Sequence, residues 1–207
     1  MKLYAASPSP FVRKVLVLAI ECGLSGRLEH VSIKTTPIAP DIELIRSNPV
    51  AKMPTLVTDS GATLYDSRVI CEYLDSLHDS VKMFPAEQAS RWVALRRQAL
   101  GDGVLDAAVS IRYEVILRPD GKRWPEWVAG QMGKVRRGLD ALESEVASFK
   151  DEINIGTITA GCVAGYLDFR FPEEDWRATR PHLRDWYAPF SARDSMVKTD
   201  PVADVEV

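Results

Sequence analysis

The order of apolar and polar positions divides the chain into a mixed first part and a helical second part. In the first part, short runs rich in β-branched and apolar residues predict strands. The predicted strands are residues 2–5, 28–33, 55–58 and 63–65. Between the first two strands, a largely apolar segment that begins after Ser9-Pro10 and ends at Gly23 predicts a helix. A strand, a helix and a strand at this spacing favour a parallel, right-handed βαβ unit.

The segment that follows this unit predicts a short helix, a hairpin and a longer helix. Residues 41–46 predict the short helix, and the turn residues of 59–61 join the last two strands as a hairpin. Asp66 or Ser67 then offers a side-chain oxygen that caps the longer helix. The spacing predicts that one face of this helix is apolar. That face contains Val69, Ile70, Tyr73, Leu74 and Leu77.

The second part of the chain has helical periodicity throughout. Residues 92–116 predict one long helix or two, because Gly101 and Gly103 permit a bend. Apolar residues of segment 128–149 recur at spacings of three and four, which is the strongest helical signal in the sequence. We therefore expect an α/β domain over residues 1–76, a linker over 77–86 and an all-helical domain over 87–207.

Composition and motifs exclude several classes of function. The net charge of −3 and the pI of about 5.7 give no reason to expect nucleic acid or an anionic membrane as a partner. No signal-peptide core or apolar run of membrane-spanning length is present, so we expect a cytoplasmic protein. The three cysteines form no CxxC and no Cys/His cluster along the chain, so neither a metal nor a dithiol site is expected. Cys22 and Cys71 lie in predicted helices and are interpreted as buried structural thiols.

The segment Asn48–Pro54, together with Asp66-Ser67, resembles part of a known family. In the soluble, cytosolic-type glutathione transferases, including the bacterial ones, a similar Asn-Pro segment carries a cis-proline, and a Glu/Asp-Ser pair opens the next helix. Ala51 stands where that family usually has glycine. The resemblance extends over essentially the whole chain. It implies a thioredoxin-like domain of order βαβαββα, followed by an all-α domain.

The resemblance also implies a glutathione site in the first domain. In several classes of the family a Ser or Cys precedes an arginine by about four residues at the start of the first helix, as Ser9 precedes Arg13. Ser9 is therefore the expected hydrogen-bond donor to the glutathione thiolate, with Ser7 as the alternative. Ser67 is expected to hold the γ-glutamyl carboxylate and Asp66 the amino group. The other expected glutathione contacts are Phe11, Lys34, Lys52, the backbone of Met53, and Pro54 as a cis residue.

The implied activity is attack of the glutathione thiolate, with glutathione as cosubstrate, on a small hydrophobic electrophile. The electrophile is expected between the domains, and its candidate contacts are Asp106, Ser110, Arg112 and Tyr113. Two alternatives stay open, a non-catalytic glutathione-binding or regulatory protein and a glutathione-dependent thiol or peroxide reductase. The reductase is disfavoured because no cysteine precedes position 22. The resemblance further implies a homodimer.

Residues 153–171 resemble the buried sixth helix of the same family. That helix usually opens with a Ser/Thr-x-x-Asp capping box, in which two side chains satisfy two backbone N–H groups. Thr157 is expected to occupy the first position of the box, and Ala160 replaces the aspartate. We therefore expect this helix to lack one capping hydrogen bond.

Overall fold

The computed structural model describes residues 1–201, and the chain forms two compact units. The first unit contains Met1–Ala86 together with the described residues from Asp194 onward, and the second contains Glu87–Arg193. In chain order the elements are β1 (Lys2–Ala5), α1 (Pro10–Glu21), β2 (Glu29–Ser32), α2 (Ile42–Ser47), β3 (Thr55–Val57), β4 (Thr63–Leu64), α3 (Ser67–Asp75), α4 (Gln88–Ile116), α5 (Pro125–Glu145), α6 (Ile155–Arg170), α7 (Pro181–Ser191) and α8 (Asp194–Lys198).

The first unit is built on a mixed four-stranded sheet of order β2-β1-β3-β4. Strands β1 and β2 are parallel, whereas β1–β3 and β3–β4 are antiparallel. This confirms the expected βαβ unit followed by a ββα unit, the thioredoxin-like arrangement. Helices α1 and α3 pack against each other. The fully buried apolar residues of this unit include Leu3, Val15, Leu18, Leu56, Ile70 and Leu74.

The buried face of α3 differs from the predicted one. Val69 is 46% exposed, whereas Cys71 is fully buried. The buried positions of the helix follow the three-and-four spacing of a single face, which Val69 does not share. These positions are Ser67, Ile70, Cys71, Leu74 and Asp75. Two polar residues therefore stand on the face that contacts the core, and this is why an apolar pattern alone misplaced it.

The unit boundaries also differ from the expected ones. The segment 77–86 belongs to the first unit, because the buried carboxylate of Asp75 accepts the backbone N–H groups of Met83, at 2.7 Å, and Phe84, at 3.2 Å. At the other end, α8 packs against α1. The guanidinium of Arg13 there donates to the carbonyl of Met196, at 3.1 Å. The C-terminal described residues are therefore part of the first unit.

In the second unit, α4 is one continuous helix, and its buried face is not the apolar one. Trp92 is 61% exposed and Ile116 is 48% exposed. The buried positions are mostly small or polar. They are Ala94, Arg97, Gln98, Gly101, Asp102, Val104, Leu105, Ala107, Ala108, Ile111 and Glu114. A Cβ at Gly101 would lie 2.6 Å from the Cγ2 of Thr159, so glycine here permits close approach of α6 and does not mark a bend.

Helices α5 and α6 complete the core of the second unit. The apolar stripe predicted for α5 and the turn after it is confirmed by the burial of Val135, Leu139, Leu142, Val146 and Phe149. Helix α6 is buried from Ile155 through Leu167.

The expected start of α6 is wrong. Asn154 is the N-cap, and it forms a complete capping box with Thr157 at the third helical position. Ala160 lies inside the helix and is 1% exposed. The capping hydrogen bonds are therefore present, three residues earlier than the family pattern implied.

Candidate functional site

Four segments of the first unit meet at one edge of its sheet. Antiparallel pairing of Tyr4 with Thr55 places the end of β1 beside the start of β3, and thus the loop before α1 beside the segment before β3. The Ile33 N–H donates to the carbonyl of Ala5, at 3.2 Å, which brings the end of β2 to the same edge. Because β4 is antiparallel to β3, the start of α3 reaches this edge as well. The fold thus gathers residues that are far apart in sequence.

Ser9 is at this edge as the N-cap of α1, as predicted. Its backbone is extended, and its Oγ accepts the N–H of Val12, at 3.3 Å. The Arg13 N–H donates to the Ser9 carbonyl, at 3.0 Å, and Pro10 has no N–H. The N–H of Phe11 has no hydrogen-bond partner among residues 1–201. The Ser9 hydroxyl proton and the Phe11 N–H are therefore two donors at the positive end of a helix, an arrangement that favours an anion.

The segment before β3 is held by the side chain of Asn48, which is 1% exposed. Its Nδ2 donates to the carbonyl of Lys52 and to the hydroxyl of Thr55, both at 3.0 Å. Its Oδ1 accepts the N–H of Val50, at 3.1 Å. Ala51 has a φ of +49°, the left-handed region in which the family's glycine is favoured. The segment is therefore a rigid turn built by hydrogen bonds.

The Met53-Pro54 peptide at the end of this turn is cis. Pro54 is buried, and Met53 is half-buried. In the part of the chain that the structure describes, neither the N–H nor the carbonyl of Met53 has a hydrogen-bond partner. An open backbone edge of this kind can pair with an extended peptide.

The start of α3 is capped by Asp66, which decides between the two predicted caps. The Asp66 Oδ1 accepts the N–H of Arg68, at 2.9 Å, and its carbonyl accepts that of Ile70, at 3.0 Å. Ser67 is the first helical residue, and it is 2% exposed. Within residues 1–201, the N–H groups of Ser67 and Val69 have no hydrogen-bond partner. The end of α3 therefore also presents donors to an anion.

The remaining predicted residues of the first unit are less constrained. Lys34 and Lys52 are exposed and lie at the same sheet edge, one after β2 and one before β3. Phe11 is half-buried, and the Nζ of Lys14 lies 5.8 Å from the centre of its ring. Ser7 is exposed and lies two residues before the cap of α1.

In the second unit, the four predicted electrophile contacts do not share one face of α4. Asp106, Ser110 and Tyr113 follow spacings of four and three on the more exposed side. Arg112 is half-buried and follows the buried positions Leu105 and Ala108, on the side that faces α6.

Tyr166 of α6 also belongs with these residues, although the sequence analysis missed it. It is 5% exposed, and burial raises its pKa to about 12, against the opposing effect of Arg170 and Arg112. Burial also raises the pKa of Tyr113. Both hydroxyls are thus protonated at neutral pH. No local motif marks Tyr166, because its position depends on how α6 packs.

The fold also assembles a Cys/His group that the sequence does not show. The potential ligand atoms of Cys22, Asp75 and His78 lie within 4.8 Å of one another. The Asp75 Oδ1 is already engaged by the N–H of Met83, and His78 Nε2 lies 3.2 Å from it. Burial, reinforced by the negative charge of Asp75, raises the pKa of the Cys22 thiol to about 12. This chemistry suits a buried structural network better than an ion site.

Asn48 and Asp75 are the other residues whose roles the sequence analysis missed. Both are buried polar side chains that hold irregular backbone, and both were available as signals. Asn48 precedes a proline, and Asp75 stands at the end of an amphipathic helix, on its apolar side.

Within the part of the chain that the structure covers, no helix combines the length and the apolar character needed to cross a membrane.

Two family models and a curated relative match this chain. The family model described as "Glutathione S-transferase, N-terminal domain" matches residues 8–77, and that described as "Glutathione S-transferase, C-terminal domain" matches residues 125–188. An uncharacterised GST-like protein of Escherichia coli K12, YibF, is 33% identical over 97% of this chain and 98% of its own length.

Solved structures show the same similarity. A glutathione transferase family member from Pseudomonas fluorescens Pf-5, with bound glutathione, is 42% identical, with a TM-score of 0.95 over 98% of this chain and 99% of that one. A second structure from that organism, with bound S-(propanoic acid)-glutathione, is 40% identical, with a TM-score of 0.91 over 98% of this chain and 100% of that one.

Proposed function

Because this chain belongs to the glutathione S-transferase family, we propose that it binds glutathione and transfers its thiolate to a small hydrophobic electrophile. The observation that carries the proposal is the convergence of Ser9, Met53 and Ser67 at one edge of the sheet. The similar chain from Pseudomonas fluorescens that holds glutathione supports the choice of ligand.

Each part of the tripeptide has a partner of suitable chemistry at this edge. The γ-glutamyl carboxylate is proposed to accept from the N–H and hydroxyl of Ser67, with the dipole of α3 adding to the attraction. Asp66 has a second carboxylate oxygen for the amino group. The cysteinyl unit pairs with the open backbone of Met53, and the glycine carboxylate meets Lys34 or Lys52.

Ser9 supplies the chemistry. A free thiol of pKa near 8.5 is mostly protonated at neutral pH, and the thiolate is the nucleophile. The Ser9 hydroxyl and the Phe11 N–H donate to the sulfur at the positive end of α1, and this lowers the thiol pKa. The thiol proton goes to solvent. The sulfur then forms a bond to the electrophilic carbon, and the leaving group departs with its electron pair.

The alternative of a glutathione-dependent reductase has little support. Enzymes of that kind in the family usually carry cysteine where Ser9 stands, and Cys22, Cys71 and Cys162 are all buried. The non-catalytic alternative would keep the binding contacts without the thiolate donor. Ser9 is in place as the cap of α1. The transferase and the non-catalytic alternative therefore differ in whether its hydroxyl lowers the pKa of bound glutathione.

We also propose that the protein is a homodimer, as the family resemblance implies. Each unit exposes large apolar side chains that a second copy could cover. Tyr65 and Val69 are 39% and 46% exposed in the first unit, and Trp92 is 61% exposed in the second. Light scattering after size exclusion measures this directly, and a mass of 23.0 kDa would contradict it.

The test of the function is the ultraviolet absorbance of glutathione thiolate in the binary complex, measured against pH. Ser9→Ala should raise the pKa of bound glutathione toward its free value and lower turnover of a generic aryl halide at neutral pH. Each pKa unit corresponds to about 1.36 kcal/mol of lost thiolate stabilisation. Glutathione affinity should stay within about three-fold of the wild-type value, a change of less than about 1 kcal/mol, because most of the proposed binding contacts lie elsewhere.

Ser7→Ala is the matched control, two residues away and outside the cap. A titration that shifts only in this control would identify Ser7 as the donor. If wild-type protein retains glutathione but shows no turnover, and neither variant shifts the titration, the non-catalytic alternative is the better description.

A further inference from the structure

A serine, a histidine and an aspartate form one hydrogen-bonded row at the C-terminal end of α3, opposite the end that carries Ser67. The Oγ of Ser80 lies 2.7 Å from Nδ1 of His78, and Nε2 of the same ring lies 3.2 Å from Oδ1 of Asp75. The side chains of His78 and Asp75 are 8% and 6% exposed, whereas Ser80 is exposed. The row therefore runs from a buried carboxylate to a hydroxyl at the surface.

The two buried members of this row are held by the segment that follows α3. The Asp75 carboxylate accepts the N–H groups of Met83 and Phe84, at 2.7 and 3.2 Å. The Nζ of Lys82 donates to the backbone carbonyls of Asp75 and His78. These contacts do not involve the serine hydroxyl. The carboxylate and the imidazole are therefore positioned independently of the residue at the surface end of the row.

The hydrogen bonds of the row define the tautomer of His78. An ionised Asp75 carboxylate can only accept, so Nε2 carries the proton in the neutral ring and Nδ1 is an acceptor. The hydroxyl of Ser80 then donates to Nδ1. This is the order of a nucleophile, a general base and a group that orients the base. The ring nitrogens stand in the reverse order to those of a serine protease, but either nitrogen of an imidazole can accept a proton.

Other groups around the row suit acyl transfer. The N–H groups of Ser80 and Val81 have no hydrogen-bond partner among residues 1–201, and free N–H donors of this kind can stabilise an oxyanion. Val81 is 78% exposed and offers apolar surface beside the hydroxyl. At the buried end, burial raises the pKa of the Cys22 thiol to about 12. The thiol therefore stays protonated, and Ser80 is the better nucleophile.

We propose that Ser80 is the nucleophile of a second activity, the hydrolysis of small activated esters, with His78 as general base and Asp75 as positioning residue. Ser80 Oγ bonds to the carbonyl carbon, and its proton passes to Nδ1 of His78. The alcohol or phenol leaves with that proton. Water then attacks the acyl group and gives a proton to His78, which returns it to Ser80 as the carboxylic acid departs. Because the hydroxyl is at the surface, small acyl groups on good leaving groups are the expected substrates.

The test is hydrolysis of p-nitrophenyl acetate by the full chain, measured without glutathione because the thiol of glutathione would itself attack the ester. Ser80→Ala should lower kcat/KM at least about tenfold, since a positioned general base contributes about 10²–10⁴-fold. His78→Gln should cause a similar loss. The double variant should be no slower than Ser80→Ala, as expected for residues that act as one unit.

Ser76→Ala is the matched control. Ser76 is an exposed serine just after α3, and its hydroxyl donates to the carbonyl of Tyr73, at 2.6 Å. This variant should keep the wild-type rate. An equal loss in Ser76→Ala and Ser80→Ala, or no loss in Ser80→Ala, would overturn the proposal. Ser80→Ala shortens an exposed side chain, so the comparison holds even if His78→Gln does not fold.

An alkyl fluorophosphonate identifies the nucleophile directly, because the serine oxygen bonds to phosphorus and fluoride leaves. Mass spectrometry of the folded wild type should locate the adduct on Ser80, and unfolding in urea should abolish it. An adduct on other residues alone, or equal labelling of Ser80 in the folded and unfolded chain, would contradict an activated hydroxyl. Neither measurement uses glutathione, so failure of the transferase proposal leaves this test intact.

Discussion

The two units place their candidate site residues by different means. In the first unit, loops and helix caps bring Ser9, Met53 and Ser67 to one sheet edge, and each position depends on a few neighbouring residues. In the second unit, the candidate residues Arg112, Tyr113 and Tyr166 stand on long helices, and their positions depend on helix phase and packing. The first kind of site is therefore easier to predict from local sequence than the second.

The largest expected effect is in the second unit, at Ala160. Ala160→Asp would bury an ionised carboxylate inside α6, and we expect a loss of at least about 3 kcal/mol in unfolding free energy. Asn154→Ala should cost about 1 kcal/mol, because it removes the observed cap. Urea denaturation measures both. An increased denaturation midpoint for Ala160→Asp would indicate that the family's capping box forms between Thr157 and residue 160. It would then contradict Asn154 as the N-cap of α6.

A slightly smaller effect is expected in the first unit, at Asp75. Asp75→Ala leaves the buried N–H groups of Met83 and Phe84 without their acceptor, and this should cost about 3 kcal/mol. Asp79→Ala, at an exposed position of the same segment, is the control. If the two variants unfold at the same urea concentration, the 77–86 segment is a free linker, as the sequence analysis expected.

Two glycines of α4 separate the effect of packing between helices from the effect of intrinsic helix propensity. Gly101→Ala forces a Cβ against Thr159 and should cost about 2 kcal/mol, despite the better helix propensity of alanine. Gly103→Ala meets nothing within 4 Å and should stabilise the protein by up to about 1 kcal/mol. Thermal unfolding of the two variants side by side is the measurement. Equal shifts would mean that α4 and α6 do not approach as described.

The smallest effect compares one left-handed residue in each unit. Ala51 and Lys150 have φ values of +49° and +50°, and glycine adopts this conformation without the steric cost. Ala51→Gly and Lys150→Gly should each stabilise by about 0.5 kcal/mol, since relief of strain is partly offset by the entropy of the unfolded chain. Chemical denaturation with repeated measurements resolves such a change. A destabilisation by either variant would show that the left-handed backbone at that position is not strained.

By itself, the sequence determined the strands, the βαβ unit, the Ser9 cap and the α5 stripe. These follow from turn residues, capping side chains and apolar spacing, which act over a few residues. The tertiary structure alone decided the phase of α4, the cap of α6, the position of Tyr166 and the grouping of Cys22 with Asp75. Close helix packing favours small residues such as Gly101, and buried polar side chains such as Asn48 are satisfied by distant partners. The spacing of apolar residues indicates neither close packing at small residues nor the partners of buried polar side chains. These features depend on which segments the fold brings into contact.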